Sequence, residues 1–116
     1  MLTEEFLTEL RLRATSAKFI PFRVVRFKNG EPQPNACHTN VEDWIKENPQ
    51  HKPVQGWLVT SGFLLDAHSV VADDSGTLFD ITPVQTPWRP PFLPHLGNDA
   101  EFKELPARIH LVQISN

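Results

Sequence analysis

The sequence predicts an α+β fold in which N-terminal helices pack on an antiparallel sheet of about four to five strands. Two observations lead to this prediction. Before residue 50, apolar residues recur at helical spacing in two segments, whereas after Val54 they alternate with period two and are rich in β-branched and aromatic types. Strands that follow helices, rather than alternating with them, are typical of α+β domains with antiparallel sheets.

The first helix is predicted in the segment "TEEFLTELRLRATSAKF". Thr3 is a candidate N-cap, and the two glutamates that follow it favour the positive end of the helix dipole. One apolar stripe at helical spacing is formed by Phe6, Leu7, Leu10 and Ala14.

The second helix is predicted in "NVEDWIKEN", and Pro49 ends it. Its apolar residues are Val41, Trp44 and Ile45. Two starts are compatible with the sequence. Thr39 with Glu42 matches a capping box and would place Cys37 two residues before the cap, whereas Asn35 as the cap would place Cys37 in the first turn.

Strands are predicted in "PFRVVRF", "VQGWLVT", "FLLDAHSVV", "TLFDIT" and "ARIHLVQI". The first of them leads into a tight turn at Asn29 and Gly30, and "ADDSGT" is predicted to be the turn of a hairpin. We interpret 1–116 as a single domain, with a candidate catalytic core at 33–83 and a long proline-rich loop at 83–106. A loop of that length usually carries function or covers a site.

The composition excludes several classes of function. The 11 basic and 14 acidic residues are mixed along the chain and give a net charge of −3, so neither nucleic acid nor an anionic membrane is an expected partner. A single cysteine forms no internal disulfide, and the acidic start "MLTEEFLTEL" does not resemble a signal peptide. We therefore expect a cytoplasmic protein, although export by a signal-free route would leave no mark in the sequence.

Cys37, the only cysteine of the chain, lies where the second helix begins. A thiol becomes a useful nucleophile as thiolate, and a helix N-terminus and a nearby imidazole both favour that form. A third polar group should hold the imidazole in the right tautomer. The candidates for these two roles are His68 and Asp80.

The spacing of His68 and Asp80 predicts that their side chains share one face of a hairpin. The difference, 80 − 68 = 12, is even, so they share a face if the loop has an odd number of residues. Gly76 suits the left-handed position of a three-residue loop, which is odd. The same register places Val70, Leu78 and Thr82 on the face of His68 and Asp80, and it leaves Val71, Phe79 and Ile81 on the opposite face as ordinary core.

These residues resemble a known group. A cysteine at a helix start, a histidine 31 residues later and an acid on the next strand are similar to the order found in papain-like cysteine hydrolases. The segment "AHSVVADDSGTLFDITP" resembles in particular the transglutaminase-like core, in which a strand carrying histidine leads through a turn to a strand that ends in Asp-x-Thr-Pro. The resemblance covers residues 33–83. It departs from the family at Ser69 and Val70, where an aromatic residue often follows the histidine, and at His38.

The resemblance implies a cysteine-dependent acyl-transfer enzyme acting on an amide, ester or thioester, with a protein or peptide as substrate and no cofactor. Cys37 would attack the carbonyl carbon, His68 would take and return the proton, and Asp80 would orient the imidazole. The backbone N–H of Cys37 would be one oxyanion donor, and the side chain of Gln33 or Asn35 a second. Water as acceptor would make a thiol protease, amidase or deamidase, and a lysine amine would make a transglutaminase.

The aromatic residues Trp57 and Trp88 are candidates for the wall of a substrate groove. Trp88 also supports a different hypothesis, because a proline-stiffened loop that presents tryptophan can dock a partner at low entropic cost. The chain would then be a non-enzymatic interaction or inhibitory module that uses this loop, and Cys37 a small buried hydrophobe.

No metal site is predicted, since zinc prefers four ligands with paired spacing and the remaining histidines are scattered. We also expect His38 to play no part beside Cys37, because consecutive residues at a helix start point in different directions.

Overall fold

A computed structural model describes residues 3–61, 64–84 and 88–111. In chain order, its elements are α1 (Glu4–Ala14), α2 (Cys37–Glu47), β1 (Lys52–Ser61), β2 (Leu64–Ala72), β3 (Leu78–Phe79), β4 (Phe92–Pro94), α3 (Asp99–Glu104) and β5 (Arg108–His110). The strands form an antiparallel sheet in the order β3-β2-β1-β4, and β5 pairs with β2. The predicted α+β class with an antiparallel sheet of four to five strands is confirmed.

The chain divides into two compact units. The first contains the described residues of 1–19, 55–67 and 90–116, and its buried core consists of Leu10, Trp57, Leu65, Leu93, Phe102, Ile109 and Leu111. Helix α1 covers this core with the stripe that the sequence predicts. Thr3 caps α1 as expected, because its side-chain oxygen accepts from the N–H of Phe6 at 3.1 Å.

The second unit contains residues 20–54 and the described residues of 68–89. Its core consists of Val41, Val71, Phe79 and Ile81, with Trp44 and Ile45 of α2 packed against them. Three of the four core residues are those that the hairpin register assigns to the buried face. All the residues of the candidate triad lie within this unit.

The hairpin of β2 and β3 has the predicted register. Val71 pairs with Phe79 and Ala72 with Leu78, and the N–H of Asp73 donates to the carbonyl of Thr77. Residues 74–76 therefore form a three-residue loop, and Gly76 has a φ of 87°, in the left-handed region that glycine adopts without strain. The odd loop length is confirmed, so the even spacing of His68 and Asp80 places them on one face.

Two predictions about secondary structure are wrong. The segment "PFRVVRF" forms no strand and makes only isolated bridges, one of them between Phe22 and Asp80. Val24 is 84% exposed, although Val25 and Phe27 pack against the core of the second unit. The region 83–106 is not all loop, because it contains β4 and α3. Helix α3 forms since the Asn98 side chain accepts from the N–H of Glu101 and Phe102 is buried in the first unit. The helices are therefore not all N-terminal.

The ends of two predicted strands lie outside the described residues: Phe63, which opens "FLLDAHSVV", and 112–114, which close "ARIHLVQI". The assignment of the whole chain to a single domain stays a prediction.

Candidate active site

Helix α2 begins at Cys37, with Ala36 as its N-cap. Neither predicted cap is right: Ala36 makes no side-chain capping bond, and Asn35 precedes it in the left-handed region with a φ of 61°. The start of the helix is instead tied to the preceding loop by the buried Asn40, whose amide accepts from the N–H of Gln33 at 3.0 Å and donates to the Gln33 carbonyl at 2.9 Å. Cys37 thus lies in the first turn, at the positive end of the helix dipole.

The Cys37 thiol contacts two imidazoles, those of His38 and His68. Burial alone would raise the pKa of the thiol. Hydrogen bonds and positive charge from the two histidines outweigh burial and lower the pKa of Cys37 from 9.0 to about 6. The thiol is half-buried and ionises in the neutral range, which is the condition for a nucleophile.

The His68 imidazole is fixed by a carboxylate. Its Nε2 lies 2.6 Å from Oδ2 of Asp80, and both side chains are buried. Burial alone would lower the pKa of His68, but the hydrogen bond to Asp80, the hydrogen bond to Cys37 and their negative charges raise it from 6.5 to about 9. The predicted pairing of His68 and Asp80 is therefore present, and between the two pKa values the favoured state is a thiolate beside an imidazolium.

Asp80 is held by two further groups, whose contacts with it the sequence does not predict. Its Oδ1 accepts from the backbone N–H of Thr82 at 2.9 Å, and its Oδ2 accepts from Nη1 of Arg89 at 3.2 Å as well as from His68. Arg89 also donates to the Thr82 carbonyl at 2.8 Å and stacks over the ring of Phe22, with 4.1 Å between guanidinium carbon and ring centroid. Asp80 thus has a second cation as partner, and its orientation is set from both sides.

A hydrogen-bond network joins the carboxylate to the helix that carries the thiol. Thr82 Oγ1 accepts from Nδ2 of Asn40 at 3.0 Å, and both residues are buried. Since Asn40 lies on α2 and Thr82 follows Asp80, the network links the Asp-x-Thr segment to the first turn of the helix. This gives the threonine of "DITP" a physical role. The predicted register already places Thr82 on the face of Asp80, but nothing in the local sequence points to Asn40.

His38 contacts the Cys37 thiol, contrary to the expectation that it plays no part at the site. Its Nδ1 hydrogen-bonds Oγ of Ser69, next to His68 on β2, and its ring contacts the thiol. The hydrogen bond with Cys37 raises the pKa of His38, and the negative charge of Cys37 raises it further. Burial and the positive charge of His68 lower the pKa, but the net shift is upward. Consecutive side chains inside a helix point in different directions, but here the side chains of Cys37 and His38 both contact residues of β2.

The structure places the remaining predicted site residues in different environments. Trp57 is fully buried in the core of the first unit, beside Phe6 and Phe102, so its assignment to a substrate groove is wrong: a period-two strand position after glycine does not distinguish core from cleft. Trp88 is 56% exposed, as a surface anchor would be. The oxyanion candidate Gln33 is exposed, and its side-chain amide donates to the Glu31 carbonyl at 3.1 Å.

An open, mainly apolar cleft of about 330 Å³ lies in the second unit. Gln33, Ile81 and Pro83 contribute to its wall, together with parts of the segments 22–25 and 31–34. Two of these residues flank Thr82, and the third is bonded to Asn40. The cleft therefore adjoins the segments that hold the candidate site.

Within the described ranges, no group of three or more histidine, cysteine or acidic side chains is arranged to hold a metal ion. None of the helices in the same ranges has the length and apolar character needed to cross a membrane.

No protein-family model, curated protein or solved structure matches this chain. The fold and the site thus define an α+β protein in which the thiol of Cys37 contacts the imidazole of His68, and that imidazole contacts the carboxylate of Asp80, all within one compact unit.

Proposed function

We propose that this protein is a cysteine-dependent acyl-transfer enzyme of papain-like or transglutaminase-like type, with Cys37, His68 and Asp80 as its triad. The observation that carries the proposal is the connected arrangement of the three groups. The thiol at the start of α2 contacts an imidazole whose Nε2 lies 2.6 Å from a buried carboxylate. This combination generates a nucleophile at neutral pH and a proton carrier next to it.

The chemistry follows from the roles of these groups. The Cys37 thiolate attacks the carbonyl carbon of an amide, ester or thioester, and the His68 imidazolium gives its proton to the leaving group. Asp80 holds the His68 ring through Nε2 and stabilises its charged form. The backbone N–H groups of the first turn of α2, which have no carbonyl partner within the helix, are the natural donors for the tetrahedral oxyanion.

A protein or peptide is the proposed acyl donor. The apolar cleft adjoining the site offers a surface for a side chain of the substrate, with Gln33 and Pro83 in its wall. Water as acceptor gives hydrolysis or deamidation, and a primary amine gives cross-linking.

The proposal is tested by the release of nitrophenol from p-nitrophenyl acetate, with and without added primary amine. The wild-type protein is expected to release it catalytically, and Cys37→Ala is expected to lose the activity. Thr39→Ala is the matched control, because Thr39 is exposed on the same helical turn. Equal rates for wild type and Cys37→Ala would reject the proposal, and acceleration by the amine would assign the acceptor class.

A second candidate function is supported by one observation. Trp88 is 56% exposed beside a run of prolines, which suits a loop that docks a partner protein without catalysis. If this function is correct, Trp88→Ala abolishes partner binding and Cys37→Ala leaves the biological activity intact.

A further inference from the structure

The apolar cleft of the second unit is built from segments that also hold Asp80. Its volume is about 330 Å³, and its walls are parts of the segments 22–25, 31–34 and 81–83. The N–H of Asp80 donates to the Pro21 carbonyl, and the N–H of Arg23 donates to the Asp80 carbonyl, both at 2.9 Å. Ile81, in another wall, follows Asp80 directly in the chain. Two of the three walls are therefore fixed to the carboxylate residue of the candidate triad.

The remaining wall is joined to the helix that carries the thiol. Gln33 lines the cleft and exchanges two backbone hydrogen bonds with the side-chain amide of Asn40, at 3.0 and 2.9 Å. Asn40 lies one turn after Cys37 on α2. A molecule bound in the cleft thus contacts the same segments on which the position of the triad depends.

The cleft presents apolar side chains to solvent. Val24 is 84% exposed and Phe22 is 39% exposed, although both line the cleft. The guanidinium of Arg89 covers one face of the Phe22 ring at 4.1 Å and is bonded to Asp80, which holds the ring in place. Exposed apolar groups that surround a concave site indicate that the site binds an apolar group.

The exposed wall also offers backbone hydrogen bonds. In the part of the chain that the structure describes, the N–H and C=O groups of Val24 and Val25 have no hydrogen-bond partner, whereas the N–H groups of Arg23 and Phe27 are bonded. An extended peptide can pair with such a segment through its own N–H and C=O groups and place alternate side chains in an adjoining pocket. An alkyl chain has no groups of this kind. The unpaired backbone therefore favours a peptide over a lipid as the ligand.

The charge of the cleft comes from Glu31. Among the described residues that line the cleft, Glu31 alone is ionisable, and its exposed carboxylate makes no ion pair with the other described residues. The three basic residues of the segment 23–28 do not line the cleft, and the charge of Arg89 is met by Asp80. The cleft therefore complements a cationic group on its ligand.

We propose that this cleft is the acyl-donor subsite of the enzyme, and that the substrate is an extended peptide with a large apolar residue close to the reacting carbonyl and a lysine or arginine next to it. This inference rests on the proposed function of Cys37 as nucleophile. Phe22 and Val24 bind the apolar side chain, the backbone of Val24 and Val25 pairs with the peptide, and Glu31 attracts the cationic residue.

The test uses p-nitrophenyl esters of acetylated peptides, because nitrophenol is released on acylation of Cys37 whichever acceptor follows. We compare kcat/KM for the esters of acetyl-Leu-Leu and acetyl-Gly-Gly, after subtraction of the rate with Cys37→Ala. Wild type is expected to prefer the leucine ester by about 10-fold or more, the usual effect of an apolar group in a matching pocket. Both esters are measured on one preparation, so a partial loss of folded protein cancels in the ratio.

Val24→Asp should remove most of this preference, because a carboxylate in the wall disfavours an apolar side chain. Leu12→Asp is the matched control and should keep the preference, because Leu12 is also an exposed apolar residue, at 74%, but belongs to the first unit.

The charge of the ligand is tested with the esters of acetyl-Lys-Leu-Leu and acetyl-Glu-Leu-Leu. Wild type should prefer the lysine peptide by about 3-fold at low salt, which is the size of an exposed ion pair. Glu31→Gln should lose this preference.

Each contrary result overturns a stated part of the proposal. Equal kcat/KM for the leucine and glycine esters, or a preference that Val24→Asp leaves unchanged, would reject the cleft as the subsite. A p-nitrophenyl octanoate rate at or above that of the leucine ester would reject a peptide ligand. A dimer in sedimentation that Val24→Asp dissociates would assign the cleft to a second copy of the chain. The absence of a lysine preference would reject the role of Glu31. Nitrophenol release that is equal in wild type and Cys37→Ala would instead reject the proposed function itself.

Discussion

The ionisation of Cys37 gives the most sensitive prediction, because it depends on two named imidazoles. With a pKa of about 6, half of the thiol is ionised at that pH, whereas an ordinary thiol with a pKa of 9.0 has only about one part in a thousand as thiolate. The thiolate is therefore about 500-fold more abundant. A thiolate of lower pKa is intrinsically less nucleophilic. With a Brønsted slope of about 0.45, a pKa lower by about three units reduces the rate constant of the thiolate about 20-fold. The net expectation is alkylation about 20-fold faster than that of an ordinary thiol at about pH 6.

The assay is the second-order rate constant for iodoacetamide at Cys37, measured by peptide mass spectrometry from below about pH 5 to above about pH 9. Because the thiolate reacts, the wild-type rate rises through a midpoint near pH 6 and is level above it. His68→Ala moves the midpoint upward in part, since His38 remains. The double variant of His38 and His68 to alanine moves it to within about one unit of the ordinary value, the remainder being the helix N-terminus.

The alkaline end of the same profile supplies an internal control. Where both thiols are fully ionised, the double variant should react about 8- to 20-fold faster than wild type, because its pKa is about two to three units higher, so the two curves cross. A wild-type midpoint near pH 9, or curves for wild type and double variant that coincide, would refute the reasoning.

Two further predictions concern the hydrogen-bond network around the triad, and a third concerns the exposed Trp88. Asp80→Asn removes the charge that faces His68 and Arg89, so the free energy of unfolding in urea should fall by about 3–5 kcal/mol and alkylation of Cys37 at pH 6 should slow; unchanged stability would contradict the buried pairing. Asn40→Ala deletes three hydrogen bonds, one buried and two part-buried, and should cost about 2–4 kcal/mol in the same measurement, whereas a loss below about 0.5 kcal/mol would show that the network is not formed. Trp88→Ala should leave both the urea midpoint and the alkylation profile unchanged, because the ring is largely exposed; a shift of either would place it in the fold or the site.

The hairpin could be predicted from the sequence because its geometry is local. Side chains alternate along a strand, so the parity of the spacing between His68 and Asp80 and the length of one turn decide which face they share. The positive φ of Gly76 and the burial of Val71, Phe79 and Ile81 agree with that reasoning.

The rest of the site depends on contacts between segments that are distant in sequence. Arg89 reaches Asp80 from a proline-rich segment, and Asn40 reaches Thr82 across 42 residues; no periodicity encodes either contact. The pairing of His38 with Ser69 repeats the separation of Cys37 and His68, since 69 − 38 and 68 − 37 are both 31. The equal separations indicate that His38 lies near Ser69 if Cys37 lies near His68. The expectation that consecutive residues at a helix start point in different directions hid this signal.

The central claim is tested most directly by trapping the acyl-enzyme. The protein is mixed with p-nitrophenyl acetate, quenched in acid at successive times and analysed by peptide mass spectrometry. We expect one acetyl group on the Cys37 peptide that accumulates rapidly and then decays, and that accumulates more slowly at neutral pH when His68 is changed to alanine, because less of the thiol is then ionised. Acetylation confined to lysine side chains, or acetylation of Cys37 at a rate independent of His68, would contradict it.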